Sequence, residues 1–379
     1  MNIVYIAPMF HTNQVPIVKG WLEHNHNVTF ICHYKGKTEN HEYCSPHVLG
    51  YSKLFTFLEF IHGKLQSKSK RLSSYPEAFK DRFGFPSAIK LSQILKKSEP
   101  DVVILRERSL YSIISYMVCK TKKIKCILYN QTPLWDHEPP RNDFAHKIVK
   151  GLTPPVRMTP VLGQVNVGYL DKNATYIPFV IEPRISPRDK TYFNSQKINL
   201  LSVGKYEERK NHLMLLNIIT RLRPEYPLHL TIVGEASSKY HKSYLKKIKD
   251  YITEHNLEDA VTLHVNCKPQ NMAAFYSNAD LFILPSTAEF ASVSQLEAMS
   301  YSLPVIVSDT NGTSCYIENG KNGYLFKDMD ENNLEEQLLR LLSSKEEIRQ
   351  MGAYSYKMVL EKYNFKHYET SIKMLIEHQ

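Results

Sequence analysis

Short apolar runs recur along the chain, each bounded by polar or turn-forming residues and separated by stretches of helical spacing. In the first half Ile3–Ile6, Val28–Ile31, Val102–Leu105 and Ile127–Tyr129 read as buried strands. In the second, Leu200–Val203, Leu228–Val233, Val261–Leu263, Leu281–Leu284, Val305–Val307 and Tyr324–Phe326 do the same. Strands alternating with helices predict α/β architecture, here two facing doubly wound, Rossmann-like domains with a ligand cleft between their sheet edges. The expected division is 1–181 for the first domain, 182–197 for a linker and 198–361 for the second. A helix over 362–379 is expected to return to the first domain. The linker is marked by Pro178-Phe-Val-Ile-Glu-Pro183 and the polar run that follows.

One turn between a strand and a helix stands out. Pro285-Ser-Thr-Ala-Glu-Phe-Ala-Ser-Val-Ser-Gln-Leu-Glu297 carries Glu289 and Glu297 between the apolar runs 281–284 and 303–307. A right-handed crossover puts that helix start at the carboxyl edge of the sheet, where unpaired N–H groups and the helix dipole favour a phosphate. Ser294-x-x-Glu297 also fits a capping box, in which the glutamate serves only its own helix. The turn alone leaves both readings open.

Composition narrows the class. A chain of 379 residues, 42% apolar, supports two cores. No apolar stretch reaches the eighteen or so residues of a membrane span, and Asn2–Ala7 is too short for a signal-peptide core, so a cytoplasmic protein is expected. Six scattered cysteines show neither disulfide nor zinc spacing, and no metal is expected. The net charge of +10 resides between Tyr51 and Lys125, where sixteen Lys or Arg face six Asp or Glu. There Leu54, Phe55, Phe57, Leu58, Phe60 and Ile61 interleave with Lys53, Lys64, Lys68, Lys70 and Arg71, a pattern that suits peripheral contact with anionic lipid or an ordinary core-facing helix. No nucleic-acid module accompanies the charge.

Three features of the second half carry a resemblance: Gly204-Lys-Tyr-Glu-Glu-Arg-Lys-Asn211 after a strand, Glu289-x7-Glu297, and the loop Ser308–Thr313 with Glu318–Phe326 beyond it. Together they resemble the donor domain of retaining glycosyltransferases of the GT-B fold, the GT4-like family (glycosyltransferase group 1). The resemblance implies that Glu297 accepts from the ribose hydroxyls of a nucleotide and that Glu289 contacts the donor sugar. Gly204, Lys205 and Lys210 would hold the diphosphate, with Ser292, Val293 and Ser294 at the helix start. Gly234, Glu235, Asn266 and Lys268 would lie near the base. Lys205 stands where the family usually has arginine, a point charge in place of a fork. Phe290 and Ser292 stand near the family's glycines, which leaves donor choice open.

In the first half, Pro8–Gln14 replaces the family's glycine pair. His11, Asn13 and Gln14, with Arg106 and Arg108 at another strand end, are candidate acceptor ligands. Asp136, His137 or Glu138 could take the acceptor proton. Asp328-Met-Asp330 has the Asp-x-Asp form of metal-dependent transferases, but its place before a helix reads as a cap.

The expected activity is a retaining, metal-independent transfer of a hexose-type sugar from a nucleoside-diphosphate-sugar, UDP preferred over GDP, to a glycan or lipid-linked acceptor. Glu289, Lys205, Lys210, Asp136 and His137 would carry the chemistry, without cofactor or nucleic acid. The alternatives are an epimerase or hydrolase of the same fold, or a non-enzymatic polyanion-binding protein.

Overall fold

The computed structural model describes residues 1–36, 41–68, 76–107, 109–139, 147, 150–152 and 156–379. Side chains 63–68, 76–78 and 81 lie outside that description, as does Arg108.

The apolar runs become two all-parallel sheets. The first has the order β3-β2-β1-β4-β5-β7-β9, with β1 at Asn2–Ala7, β2 at Asn27–Cys32, β3 at His47–Val48, β4 at Val102–Arg106, β5 at Lys125–Tyr129, β7 at Arg157–Thr159 and β9 at Ala174–Tyr176. β6 (Trp135–Asp136) and β8 (Tyr169–Leu170) pair antiparallel beside it. The second sheet has the order β12-β11-β10-β13-β14-β15. Its strands are β10 (Ile198–Val203), β11 (Leu228–Gly234), β12 (Val261–Val265), β13 (Leu281–Leu284), β14 (Val305–Ser308) and β15 (Gly323–Phe326). Strand order reverses between β1 and β4 in one sheet and between β10 and β13 in the other, which marks the two switch points where such sheets open a crevice for ligands.

All ten strands expected from the apolar runs are present. β3, β6, β7, β8 and β9 escape the pattern because two or three residues are too few to show a period. Apolar residues cover the second sheet on both faces. Leu200, Leu230, Ile232 and Ile283 pack with helices Lys239–Glu254 and Glu331–Leu342, while Leu201, Phe282, Leu284 and Val305 pack with helices Ser294–Ser300 and Lys345–Lys362.

The chain divides into two compact units. One comprises Met1–Pro160, Gln164–Pro178 and Phe365–Gln379, and the other Val161–Gly163 and Phe179–Asn364. The run 182–197 packs on the second unit: Arg184 and Ile185 N–H both donate to Ser300 O, and Lys190 Nζ donates to the carbonyls of Tyr276, Ser277 and Ala279. Burial brings the Lys190 ammonium down to about 8, against the pull of Asp280.

Helix Phe365–Glu377 belongs to the first unit. It lies so close to helix Val15–Glu23 that a Cβ on Gly20 would meet the Phe365 ring at 2.2 Å. Glu369 binds His24 at 2.6 Å, His26 at 3.1 Å and Lys373 at 2.7 Å. Burial alone would raise that carboxyl, but these partners hold it down at about 2.

Candidate functional site

The loops that follow β10 and β13 meet at the switch point of the second sheet. After β10, Gly204 N–H donates to Val233 O at 3.0 Å and Tyr206 N–H to Glu235 O at 3.0 Å, while the Tyr206 hydroxyl reaches Ile232 O and His264 O. The turn Glu208–Lys210 ends at Asn211, whose φ of 50° lies in the left-handed region that asparagine tolerates. Asn211 Nδ2 donates to Pro285 O at 2.8 Å, and Thr287 N–H donates to Arg209 O at 2.8 Å. Two loops distant in sequence are thereby stitched together.

Glycine at 204 has a steric reason: a Cβ there would press to 3.1 Å on Lys210 Cδ and Cε. The Lys210 stem crosses that gap and its buried ammonium pairs with Glu289 Oε2. Arg209 Nη1 reaches the same oxygen at 2.5 Å, and its Nη2 reaches Glu207 at 2.6 Å. Burial raises the Glu289 carboxyl, yet Lys210 and Arg209 outweigh it and hold it below its ordinary value. For Lys210 burial wins over Glu289, so its ammonium is pushed down. One carboxylate with two cations gains more than one buried cation with a shared carboxylate.

Glu289 also has a constrained backbone. Ala288 before it sits at φ 46°, which costs an L residue on the order of 1–2 kcal/mol. Glu289 O accepts from Gly312 N–H at 2.7 Å, and a Cβ on Gly312 would lie 1.8 Å from Phe290 O. Behind the loop, Gln295, Asn311 and Thr313 form a buried network: Asn311 Nδ2 and Thr313 Oγ1 donate to Gln295 Oε1, and Gln295 Nε2 donates to Thr313 O. The loop is held from three sides, while the Phe290 ring stays exposed.

Glu297 does not cap its helix. Helix Ser294–Ser300 begins after Val293 without a side-chain cap, and Glu297 Oε2 accepts from the Tyr276 hydroxyl at 2.7 Å. Burial raises the Glu297 carboxyl against the opposing effects of Tyr276 and Arg184. The serines expected to supplement phosphate donors have protein partners: the Ser292 and Ser294 hydroxyls lie 2.9 Å apart, and Ser294 Oγ donates to Val203 O at 3.3 Å.

The two lysines expected to share a diphosphate have different partners, Lys205 Nζ lying 3.9 Å from Glu235. Gly234 is a packing position, since a Cβ there would meet Gly204 O at 2.3 Å. Asn266, at φ 55°, staples β12 to β11: its N–H donates to Gly234 O and its Oδ1 accepts from Ala236 N–H, both at 2.8 Å. Lys268 is exposed at the start of the turn Pro269–Asn271. Arg209 is the residue that sequence reasoning left unassigned. Its signal was adjacency to Lys210, but a helix turn does not tell which neighbour points at the strand edge.

Asp330 caps helix Glu331–Leu342 by accepting from Asn333 N–H at 3.0 Å. Asp328 pairs instead with the Thr287 hydroxyl. Among the described residues no cluster of three or more His, Cys, Asp or Glu side chains could hold a metal ion.

In the first unit, the polar side chains of the loop after β1 have protein partners. Gln14 is buried and its Oε1 accepts from His11 N–H at 2.8 Å, so its amide serves the turn Thr12–Gln14. Asn13 hydrogen-bonds the Tyr129 hydroxyl, and Arg106 lies 4.6 Å over the Tyr129 ring while donating to Gln131 Oε1 at 2.7 Å. Asp136 lies in β6, where its Oδ1 accepts from Glu138 N–H at 3.2 Å. His137 and Glu138 are exposed.

Residues 184–358 match the family model of the group 1 glycosyl transferases. The chain is 26% identical over 198 residues to the D-inositol 3-phosphate glycosyltransferase of Arthrobacter sp. (strain FB24), covering 49% of this chain and 46% of that protein. It is 31% identical over 173 residues to the lipopolysaccharide 1,2-N-acetylglucosaminetransferase of Salmonella typhimurium, covering 44% and 45%. The match thus spans about half the length of these relatives. The crystal structure of Anabaena HepE in complex with UDP and glucose superposes with a TM-score of 0.69 at 13% identity, covering 100% of both chains. A glycosyltransferase from Rickettsia africae ESF-5 does so with a TM-score of 0.69 at 14% identity, covering 99% and 97%. The fold is that of the two-domain GT-B glycosyltransferases.

Proposed function

We propose that this chain, whose residues 184–358 match the group 1 glycosyl transferases, moves a hexose-type sugar from a nucleoside-diphosphate-sugar to a glycan or lipid-linked acceptor with retention of configuration. The observation that carries the reading is the convergence of Arg209 and Lys210 on one anionic oxygen at the switch point of the second sheet. Two cations that hold a carboxylate oxygen can also hold an oxygen of a diphosphate leaving group.

In this reading the bond from the sugar's anomeric carbon to the diphosphate oxygen breaks, and the charge left on the diphosphate falls on Lys210 and Arg209, assisted by Lys205. Displacement of Glu289 from its cations frees that carboxylate to orient the sugar hydroxyls. Glu297, half-buried and held by Tyr276, accepts from the ribose diol. The acceptor hydroxyl bonds to the anomeric carbon and gives up its proton; the departing diphosphate is the base within reach. Fixed cations make a metal unnecessary for the leaving group. A UDP-sugar donor is supported by HepE, a structure of the same fold that holds UDP. Peripheral attachment to the cytoplasmic membrane face through the basic segment 53–125, in surface polysaccharide or glycoconjugate synthesis, completes the proposal.

A thermal-shift screen over nucleoside diphosphates and nucleotide-sugars tests it. A ligand at a hundred times its Kd stabilises the folded state by about 2.7 kcal/mol. UDP and UDP-sugars are expected to raise Tm by several degrees, and Glu297→Ala to remove the shift and the turnover. Full turnover in that variant overturns the assignment.

A further inference from the structure

Helix Lys53–Lys68 has two faces with opposite logic. Phe55, Glu59 and His62 point inward. Phe55 is 2% exposed, stacks with Phe79 and packs edge-on or tilted against Phe85 and Tyr51, at ring distances of 5.2–6.0 Å. Glu59 pairs with Lys80 at 3.1 Å, and His62 stacks on Phe79 at 4.1 Å. The helix is therefore already docked on the first unit.

Its outer face is apolar as well. Leu54, Phe57, Leu58 and Ile61 fall at i, i+3, i+4 and i+7, one continuous stripe, and they are 61, 59, 45 and 38% exposed. A stripe with this spacing ordinarily faces a core, and here it faces solvent. Phe83, on the adjacent helix Pro76–Phe83, is 46% exposed beneath the Arg82 guanidinium, 5.4 Å away. Ser52 N–H donates to Phe85 O at 2.9 Å, which brings this aromatic segment beside the helix start.

The surrounding charge identifies what covers the stripe. On this helix and on the adjacent helix Pro76–Phe83 the described side chains include the cations Lys53, Lys80 and Arg82 and the acid Glu59, which Lys80 neutralises, within a stretch from Tyr51 to Lys125 that carries sixteen Lys or Arg against six Asp or Glu. An apolar stripe flanked by unbalanced cations matches the boundary between anionic headgroups and acyl chains, into which such a helix sinks side-on.

We infer that helix Lys53–Lys68 is a membrane-surface docking element that inserts Leu54, Phe57, Leu58 and Ile61 into a bilayer bearing anionic lipid. The inference rests on the peripheral attachment in the proposed function and deepens it, assigning that attachment to one helix and one lipid chemistry. The contact itself is tested without a substrate.

The experiment is co-sedimentation of the full chain with vesicles of phosphatidylcholine alone or mixed with phosphatidylglycerol, at low and physiological salt. Binding is expected to the mixed vesicles and to weaken as salt rises. Leu54→Ser with Phe57→Ser, and separately Leu58→Ser with Ile61→Ser, should each lower the partition coefficient about tenfold or more. Because these side chains face solvent, the Tm of each variant should stay at the parent's value. Lys53→Glu with Arg82→Glu should weaken binding to the mixed vesicles comparably. The inference is overturned by a parent that ignores the mixed vesicles, or by serine variants that bind as the parent does, which would leave only diffuse charge. It is also overturned if the parent is a dimer that the serine variants dissociate while no variant binds vesicles, since the stripe then joins two copies of the chain. Failure of vesicle binding leaves a UDP-induced thermal shift intact, and failure of the transferase reading leaves vesicle binding intact.

Discussion

Replacing Glu289 by Gln leaves a buried ammonium without its counter-ion. The Lys210 and Glu289 side chains are 8% and 12% exposed, so their pairing is shielded from water as surface pairs are not. Removing one partner of a buried pair costs about 3–5 kcal/mol. The lower end, about 3 kcal/mol, applies here because Glu207 still acts on Lys210 and Arg209 is partly solvated. In a unit of this size each kcal/mol moves Tm by about 2–4 °C, so Glu289→Gln should lower the melting of the second unit by about 6–12 °C at neutral pH. Calorimetry reads that transition. Tryptophan fluorescence is the internal control, because both tryptophans, Trp21 and Trp135, lie in the first unit and should report no change. The pH dependence has a definite sign. A carboxyl held below its ordinary value of 4.5 contributes stability that is present above that value and lost as pH falls through the folded one. The gap between parent and variant should therefore narrow on acidification. Freed from their internal carboxylate, Arg209 and Lys210 should still bind UDP, so UDP should stabilise the variant at least as much as the parent while turnover collapses. An unchanged Tm at neutral pH, or a gap that widens toward acid, refutes the reasoning.

Glu297→Gln should separate stability from function. Burial raises the Glu297 carboxyl, so its ionisation weighs against the folded state increasingly as pH rises above the ordinary 4.5. The glutamine keeps an acceptor for the Tyr276 hydroxyl without the charge, and Tm at neutral pH should rise while UDP affinity measured by calorimetric titration falls about tenfold or more. A lower Tm would contradict this account. Asp330→Ala removes a helix cap worth about 1 kcal/mol, so Tm should drop by about 2–4 °C. Turnover should respond to manganese or chelator as in the parent; a selective loss of manganese response would revive the metal reading of Asp328-x-Asp330.

Both parallel sheets were legible because a strand covered on two faces must be apolar along its length, as Leu281–Leu284 and Val305–Val307 are, and both runs are short and lie next to prolines. Glu289 and Glu297 were legible as a pair because the strand-turn-helix context puts them at a carboxyl edge whatever their partners. Their roles could be framed only through family resemblance, since Ser294-x-x-Glu297 satisfies a capping rule on paper equally well.

What the one-dimensional pattern determined was therefore the α/β class, the ten longer strands and the turn that matters. The tertiary structure alone decided who meets whom. It took Glu297 from its own helix to Tyr276, placed Lys210 and the unassigned Arg209 on Glu289, and gave Lys205 to Glu235. It also turned the stripe at Leu54, Phe57, Leu58 and Ile61 outward. Local sequence encodes periodicity and propensity, which suffice for elements. Partners are chosen by strand order, because the reversal between β10 and β13 brings Arg209 and Glu289, eighty residues apart, onto one oxygen.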